Sequence, residues 1–455
     1  MMSGYMIAGF EILTTVIDSF FFSPNFNNNF TRQDLQKFFN KFGLLHCFGT
    51  NFSGRKRIDK FINKEIRTLE YCRNTGFYDE SKIILDSGGY QASIGIFDKK
   101  EINDLYNIYY KFLIDNESLY DKAFILDLPP SNSCKIFRSF KDVYDENLRS
   151  YIDASNLPKN IRDKIIYIHH FRTPKLWDIY TKILDDNDLF DKFKYYGTGG
   201  IVMGSSTDLI IPCIIYILPL IPLLNRAKKC GRKYLNFHIL GGAGFRDVLF
   251  YELFKIHVME KHGIELNITY DSSGIFKALM IGRFIHIIKD ESVFKTNIRS
   301  SNLNKRHKNY NIKIIDLYRG ALNSFADENN FKRINLDNIY NPITNTFNEN
   351  VRLYSMLYTL NNYSRMEKIL NRKSFEVYEL YKNKQFDEFN REVELITQKI
   401  NSEKITKKQR VKSNSVIRSL DMLTELDEDY CQYLVNKFLA KDEFVELEVK
   451  KIYTF

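Results

Sequence analysis

Six short apolar runs recur through the first two thirds of this chain, and each closes on, or just before, a polar residue or a glycine. They lie at 82–87, 122–128, 164–171, 195–205, 234–243 and 266–272. Their ends, at Asp86, Asp127, His169, Gly199, Leu240 and Asp271, are 41, 42, 30, 41 and 31 residues apart. A strand, a helix and two loops consume about 30–40 residues, so the spacing predicts βα units and a parallel sheet. An earlier run, Leu44–Asn51, keeps the same rhythm, and an eighth falls at Met6–Val16 or at Arg283–Ile288. The expected class is α/β, with a (β/α)8 TIM-like barrel over residues 1–290; an open doubly wound sheet is the alternative.

After about residue 290 the strand-like runs thin out, and Phe347–Ile369 and Val377–Ile400 predict helices. Residues 291–455 are therefore expected to form a basic, mainly helical domain, either nucleic-acid-binding or accessory. Its segment 401–417 holds Lys404, Lys407, Lys408, Arg410 and Lys412 against Glu403 alone. A solvated helix face or linker explains that run as well as a phosphate-contacting surface does.

With 455 residues, 44% of them hydrophobic and 15% aromatic, the chain can bury a large core, which excludes wholesale disorder. The net charge of +10 is compatible with a polyanionic partner. The six cysteines, at 47, 72, 134, 213, 230 and 431, contain no C-x-x-C and no close pair. That argues against a cysteine-rich zinc module and a disulfide framework, and for a reducing, intracellular compartment. No Lys or Arg precedes Arg32, so a secretory signal is not expected. The longest apolar run, Leu209–Leu224, carries Pro212, Pro219 and Pro222 and predicts a buried connection rather than a membrane span.

Barrel chemistry collects where strands end. Asp86, Asp127, His169, His170 and Asp271 all fall at expected strand ends. One strand-end aspartate is ordinarily a helix cap; three, with glycine pairs at two further ends, predict the lining of a shared pocket.

The most informative string is Asp86-Ser87-Gly88-Gly89-Tyr90-Gln91. Two glycines after a strand-end carboxylate permit a sharp turn and the close approach of a flat ligand. Tyr90 offers a ring for stacking and Gln91 an amide. This string matches, residue for residue, the DSGG[FY]Q segment of the tRNA-guanine transglycosylase superfamily. Further matches follow in that family's order. Phe124–Asp127 with Pro129 and Pro130 resembles the strand-end aspartate segment that reads the purine edge. Gly199-Gly200-Ile201-Val202-Met203-Gly204 resembles its GGLAVG loop. The stretch His238–Gly244, with Leu240 and Gly241, resembles its L-M-G-V-G strand, and Thr269-Tyr270-Asp271 resembles the strand ending in the nucleophile. The resemblance spans roughly residues 40–285.

What the resemblance implies is base exchange through a covalent glycosyl-enzyme. Asp271 would be the nucleophile and Asp86 the acid–base carboxylate. Asp127 would accept the N1–H and 2-amino edge of guanine or a 7-deazaguanine. Ser87, Gly88, Gly89, Tyr90, Gln91, His170, Gly199, Gly200, Ile201, Leu240 and Gly241 would complete the base pocket. No cofactor or metal is expected. Arg55, Lys56 and Arg57, in the loop after the Leu44–Thr50 strand, with Lys277 and Arg283, would hold phosphates; 305–308 and 404–412 would extend the track.

Three departures narrow the reading. The family's tRNA enzymes carry a C-x-C-x-x-C…H zinc site, whereas only Cys431 lies beyond residue 230 here. Their P-T-R string after the nucleophile is Ser272-Ser273-Gly274 in this chain, and their Q-G strand end is His169-His170-Phe171. The core matches while the tRNA-gripping parts do not, a pattern similar to the branch that inserts 7-deazaguanines such as 7-cyano-7-deazaguanine into DNA. DNA is the expected partner, with helper proteins that open it, in the cytoplasm of a bacterium or phage-infected cell, away from membranes. The alternatives are an enzyme acting on tRNA and a non-catalytic nucleic-acid-binding paralogue. A metal-dependent amidohydrolase needs an H-x-H pair, which the eight histidines do not provide.

Overall fold

A computed structural model describes residues 5–8, 43–48, 58–74, 83–89, 99–129, 140–170, 174–199, 212–242, 244–271, 285–289, 292–296, 320–329, 331, 333, 340–341, 346–347, 349–400, 420 and 423–438. The fold is α/β. A parallel sheet curls through β1 (Tyr5–Ala8), β2 (Gly43–Cys47), β3 (Ile83–Asp86), β4 (Lys122–Phe124), β5 (Ile165–His170), β6 (Tyr195–Gly199), β7 (Tyr234–Ile239) and β8 (Glu265–Asp271). Each strand pairs with the next in chain order, and β1 also pairs with β8, placing Met6 opposite Asp271. The strands are short and apolar because parallel strands are covered on both faces. All six residues of β5, its two histidines included, are buried.

The described helices include α1 (Ile58–Asn74), α2 (Lys99–Asp115), α3 (Phe140–Ser155), α4 (Pro174–Asp186), α5 (Leu220–Lys229), α6 (Phe245–His262), α7 (Glu349–Lys382), α8 (Phe386–Ile400) and α9 (Glu428–Phe438), with further helical residues at 320–328. Helical spacing sets what each buries. In α1 the buried stripe is Phe61, Glu65, Leu69 and Cys72. Glu65, fully buried among apolar neighbours, is matched by His46 of β2, whose Nε2 lies 2.6 Å from its Oε2.

Helix α6 is apolar on most of its circumference: Phe245, Val248, Leu249, Phe250, Tyr251, Leu253, Phe254 and Val258 are all buried. A helix of that kind must be covered on more than one side. The sheet covers one side and α7 another, through Phe245 against Tyr363 (ring centroids 4.7 Å apart) and Asn371 Nδ2 donating to Glu252 at 2.7 Å. Near its C-terminal end, His262 Nε2 meets Thr424 O at 2.6 Å and Lys261 pairs with Glu425. The C-terminal helices therefore share one hydrophobic core with the sheet's own helices.

Several expectations shift. The eighth strand is β1; Ile285–Lys289 instead forms an antiparallel hairpin with Ser292–Thr296. The two expected C-terminal helices are redivided: α7 runs unbroken to Lys382, and the interruption comes at 383–385. Lys384 takes a left-handed conformation there (φ 61°), while Gln385 N–H returns to Leu380 O at 2.9 Å. The proline-rich run becomes a short helix at Pro212–Ile217 followed by α5, with Ile215 to Leu224 buried as expected. Among the described residues no helix is long and apolar enough to cross a membrane.

Candidate active site

Asp86 ends β3 beside Cys47, its register partner on β2. Burial pushes its carboxyl up from the ordinary range to about 6, and the nearby charges of Asp127 and Asp271 push the same way. The Gly88 N–H, donating to Oδ1 at 3.2 Å, and the Cys47 side chain oppose the rise. The sequence then turns sharply against the neighbouring strand end. A Cβ on Gly89 would sit 1.7 Å from the Asp127 carbonyl oxygen, so only glycine lets the two strand-end loops touch.

Asp127 lies just past β4, and α3 grips the backbone on both sides of it. Asn147 Oδ1 accepts the Leu128 N–H at 2.7 Å, and its Nδ2 donates to Leu128 O at 2.9 Å and Tyr180 Oη at 2.7 Å. Ser150 donates to Leu126 O, and Tyr109 donates to Phe124 O at 2.6 Å. The carboxylate itself meets His170: Nε2 lies 2.6 Å from Oδ2, with both residues buried. Among the described residues His170 Nδ1 is buried without a partner, so a proton on Nε2, donated to Asp127, leaves no ring N–H stranded. His169, one residue earlier, takes the opposite strand face against Trp177 and Tyr180 of α4. Burial, first, and then the neighbouring His170 and Arg226 push its pKa down to about 3.

Asp271 ends β8. Its Oδ1 accepts the Gly241 N–H at 3.0 Å and lies 3.3 Å from His238 Nε2. The other nitrogen of that ring, Nδ1, is 2.9 Å from Thr269 Oγ1. Gly241 reaches this position with φ 82°, a left-handed turn that ends β7. Register explains the grouping. His170 pairs with Gly199, and Ile168 with Gly197, which pairs with His238, which pairs with Thr269, two residues before Asp271. Hence His170, Gly199, His238, Thr269 and Asp271 share one face of the sheet. Glycines at 197 and 199 leave that face open, and a Cβ on Gly199 would come within 3.2 Å of His170 Cε1.

Of the residues singled out from the sequence, Asp86, Ser87, Gly88, Gly89, Asp127, His170, Gly199, Leu240, Gly241 and Asp271 come to these neighbouring strand ends. Tyr90, Gln91, Gly200, Ile201, Arg55, Lys56, Arg57, Lys277 and Arg283, with the basic segments 305–308 and 404–412, lie outside the described residues. Sequence reasoning gave no role to His238, Thr269, Cys47 or Asn147. For His238 a signal existed: a histidine two residues before the strand-end Leu240 shares its side of the strand. Among the described residues, no group of three or more His, Cys, Asp or Glu side chains is arranged to hold a metal ion. No family model matches the chain, and no curated protein matches it.

Proposed function

We propose that this chain is a base-exchange transglycosylase that replaces guanine in DNA with a 7-deazaguanine, on a (β/α)8 barrel whose C-terminal helices help hold the nucleic acid. One observation carries the reading: three carboxylates at the ends of β3, β4 and β8 sit in unequal environments. Asp86 is pushed to about 6 and holds a proton readily, whereas Asp271 is presented with its Oδ1 bound and no described residue on its Oδ2. Carboxylates whose environments differ in this way divide acid–base from nucleophilic work.

In the proposed reaction an Asp271 Oδ2 lone pair bonds to C1′ as the C1′–N9 bond breaks, and N9 of the departing guanine takes its proton from Asp86. The incoming 7-deazaguanine returns a proton from N9 to Asp86 and attacks C1′. The C1′–Oδ2 bond breaks and the Asp271 carboxylate is restored. Asp127, fixed by His170 and by the Asn147 grip, offers its Oδ1 to the N1–H and 2-amino edge. The preference for DNA over tRNA rests on the absence of the zinc-site cysteines and the P-T-R string.

The test is incubation of labelled 7-cyano-7-deazaguanine with duplex DNA, single-stranded DNA and tRNA in parallel. Label should enter DNA, with a denaturation-resistant protein–DNA adduct that Asp271→Asn abolishes. Label entering tRNA alone would overturn the choice of polymer, and an adduct that survives Asp271→Asn would overturn the nucleophile.

A further inference from the structure

The carboxylate of Asp271 is held from one side only. Two donors converge on Oδ1: the Gly241 N–H at 3.0 Å and the His238 ring at 3.3 Å. His238 is buried, and its other nitrogen faces the Thr269 hydroxyl at 2.9 Å. Neutral imidazole carries one proton. If Nδ1 held it, Nε2 would turn a lone pair toward a carboxylate oxygen in a buried setting, which is repulsive. If Thr269 donates its hydroxyl proton to Nδ1, the ring proton sits on Nε2 and both contacts are attractive. Thr269 and Asp271 are two residues apart on β8, and His238 pairs in register with Thr269, so backbone pairing alone places all three side chains together.

We propose that His238 is a positioning residue for the Asp271 carboxylate, its proton drawn to Nε2 by that carboxylate while Thr269 donates to Nδ1. This rests on the transglycosylase reading for its consequence but not for its geometry. With Oδ1 occupied by two donors, the carboxylate cannot rotate freely, and Oδ2 is the oxygen left to bond to C1′. When that bond breaks in the second half of the exchange, the electron pair returns to a carboxylate whose Oδ1 is already hydrogen-bonded. The two donors therefore ease departure as well as aim attack. His170 performs the parallel task at Asp127, so two of the three carboxylates at this face carry an imidazole. Asp86, which must gain and lose a proton, does not.

Two measurements test this on the full chain. The first needs no turnover: nitrogen NMR of the histidine rings in protein labelled at histidine, with His238→Gln used to assign the signal. The expected result is a proton on Nε2 and a hydrogen-bonded, accepting Nδ1 in the parent, with the hydrogen bond at Nδ1 lost in Thr269→Val and restored in Thr269→Ser. A proton on Nδ1 in the parent would overturn the proposal. The second is the rate of adduct formation with single-stranded DNA alongside affinity for 7-cyano-7-deazaguanine. His238→Leu should slow adduct formation by about 10²-fold, the scale of a misplaced reacting group, with a smaller change in base affinity. His238→Gln, whose amide N–H can reach Oδ1, should recover much of the rate. Equal adduct rates in the parent and His238→Leu would also overturn the proposal. If the parent forms no adduct, the transglycosylase reading fails, while the tautomer measurement still decides the role of His238.

Discussion

His170 Nε2 lies 2.6 Å from Asp127 Oδ2, while the opposite nitrogen of the same ring is buried with no partner among the described residues. The contact is therefore a one-way device: a ring N–H donating to a carboxylate. Replacing His170 with leucine removes the donor and leaves the buried Asp127 oxygen unsatisfied, which costs about 1–3 kcal/mol. Calorimetric titration with 7-cyano-7-deazaguanine should show a matching loss of affinity in His170→Leu and a smaller one in His170→Gln, which keeps an N–H. Unchanged affinity in the leucine variant would show that Asp127 needs no support to read the base.

The raised pKa of Asp86 makes a prediction of opposite sign for stability and turnover. A carboxyl near 6 in the folded protein and 3.8 unfolded means that the native state holds more protons between those values. Stability therefore falls as pH rises from about 3.8 to 6 and stays lower above it. Asp86→Asn removes that penalty and should raise unfolding free energy at pH 7.5 by up to about 3 kcal/mol, a gain that shrinks as pH falls toward 4. Exchange should meanwhile drop by about 10²–10⁴-fold. In the parent, the exchange rate should bend near pH 6. Urea melts of both proteins at pH 5 and 7.5 check the first claim; a flat pH–rate profile would remove Asp86 from proton transfer.

Gly89 is set by a backbone approach that no side chain tolerates. Gly89→Ala places a methyl group inside the space of the Asp127 carbonyl, so one of the two loops must retreat. Overpacking of this kind costs about 1–3 kcal/mol. Because the loop that retreats carries either Asp86 or Asp127, base affinity should weaken along with the urea midpoint. An alanine variant with parental affinity would show that the two loops move independently of the pocket.

Arg55, Lys56 and Arg57 provide the test of the polymer grip. Each phosphate contact should contribute about −0.7 to −0.9 to the log–log slope of affinity against salt. Neutralising the three together should flatten that slope for single-stranded DNA without changing affinity for the free base. A triple variant with the parental slope would move the grip to another basic segment.

The strand ends were legible because burial and chemistry leave the same mark: an apolar run that stops at a carboxylate, a histidine or a glycine. Asp86, Asp127 and Asp271 could be found that way, and the rhythm gave the parallel sheet. The first strand was ambiguous, since Met6–Val16 and Arg283–Ile288 have equal apolar character. What separates them is the neighbour each one finds, and only two residues divide Lys289 from Ser292, a spacing suited to a hairpin. The place of the break between α7 and α8, at 383–385 rather than before Val377, was hidden for a related reason. Helix ends are set by local backbone geometry, and Lys384 adopts a left-handed conformation that its residue type does not advertise. His238 escaped because a polar residue inside an apolar segment declares that it has a partner without saying which one, and Asn147 because it is one polar residue among many in α3.

The pairing of Met6 with Asp271 joins segments that emerge from the ribosome at very different times. β2 can meet β1 early, but the last neighbour of β8 is a strand made long before it. Pairings between such distant segments are slow to form, because loop closure must be paid in entropy before the contact returns anything. The pairing of Met6 with Asp271 would therefore settle late, so that in a nascent or partly refolded chain β8 lies against β7 before β1 joins its other edge.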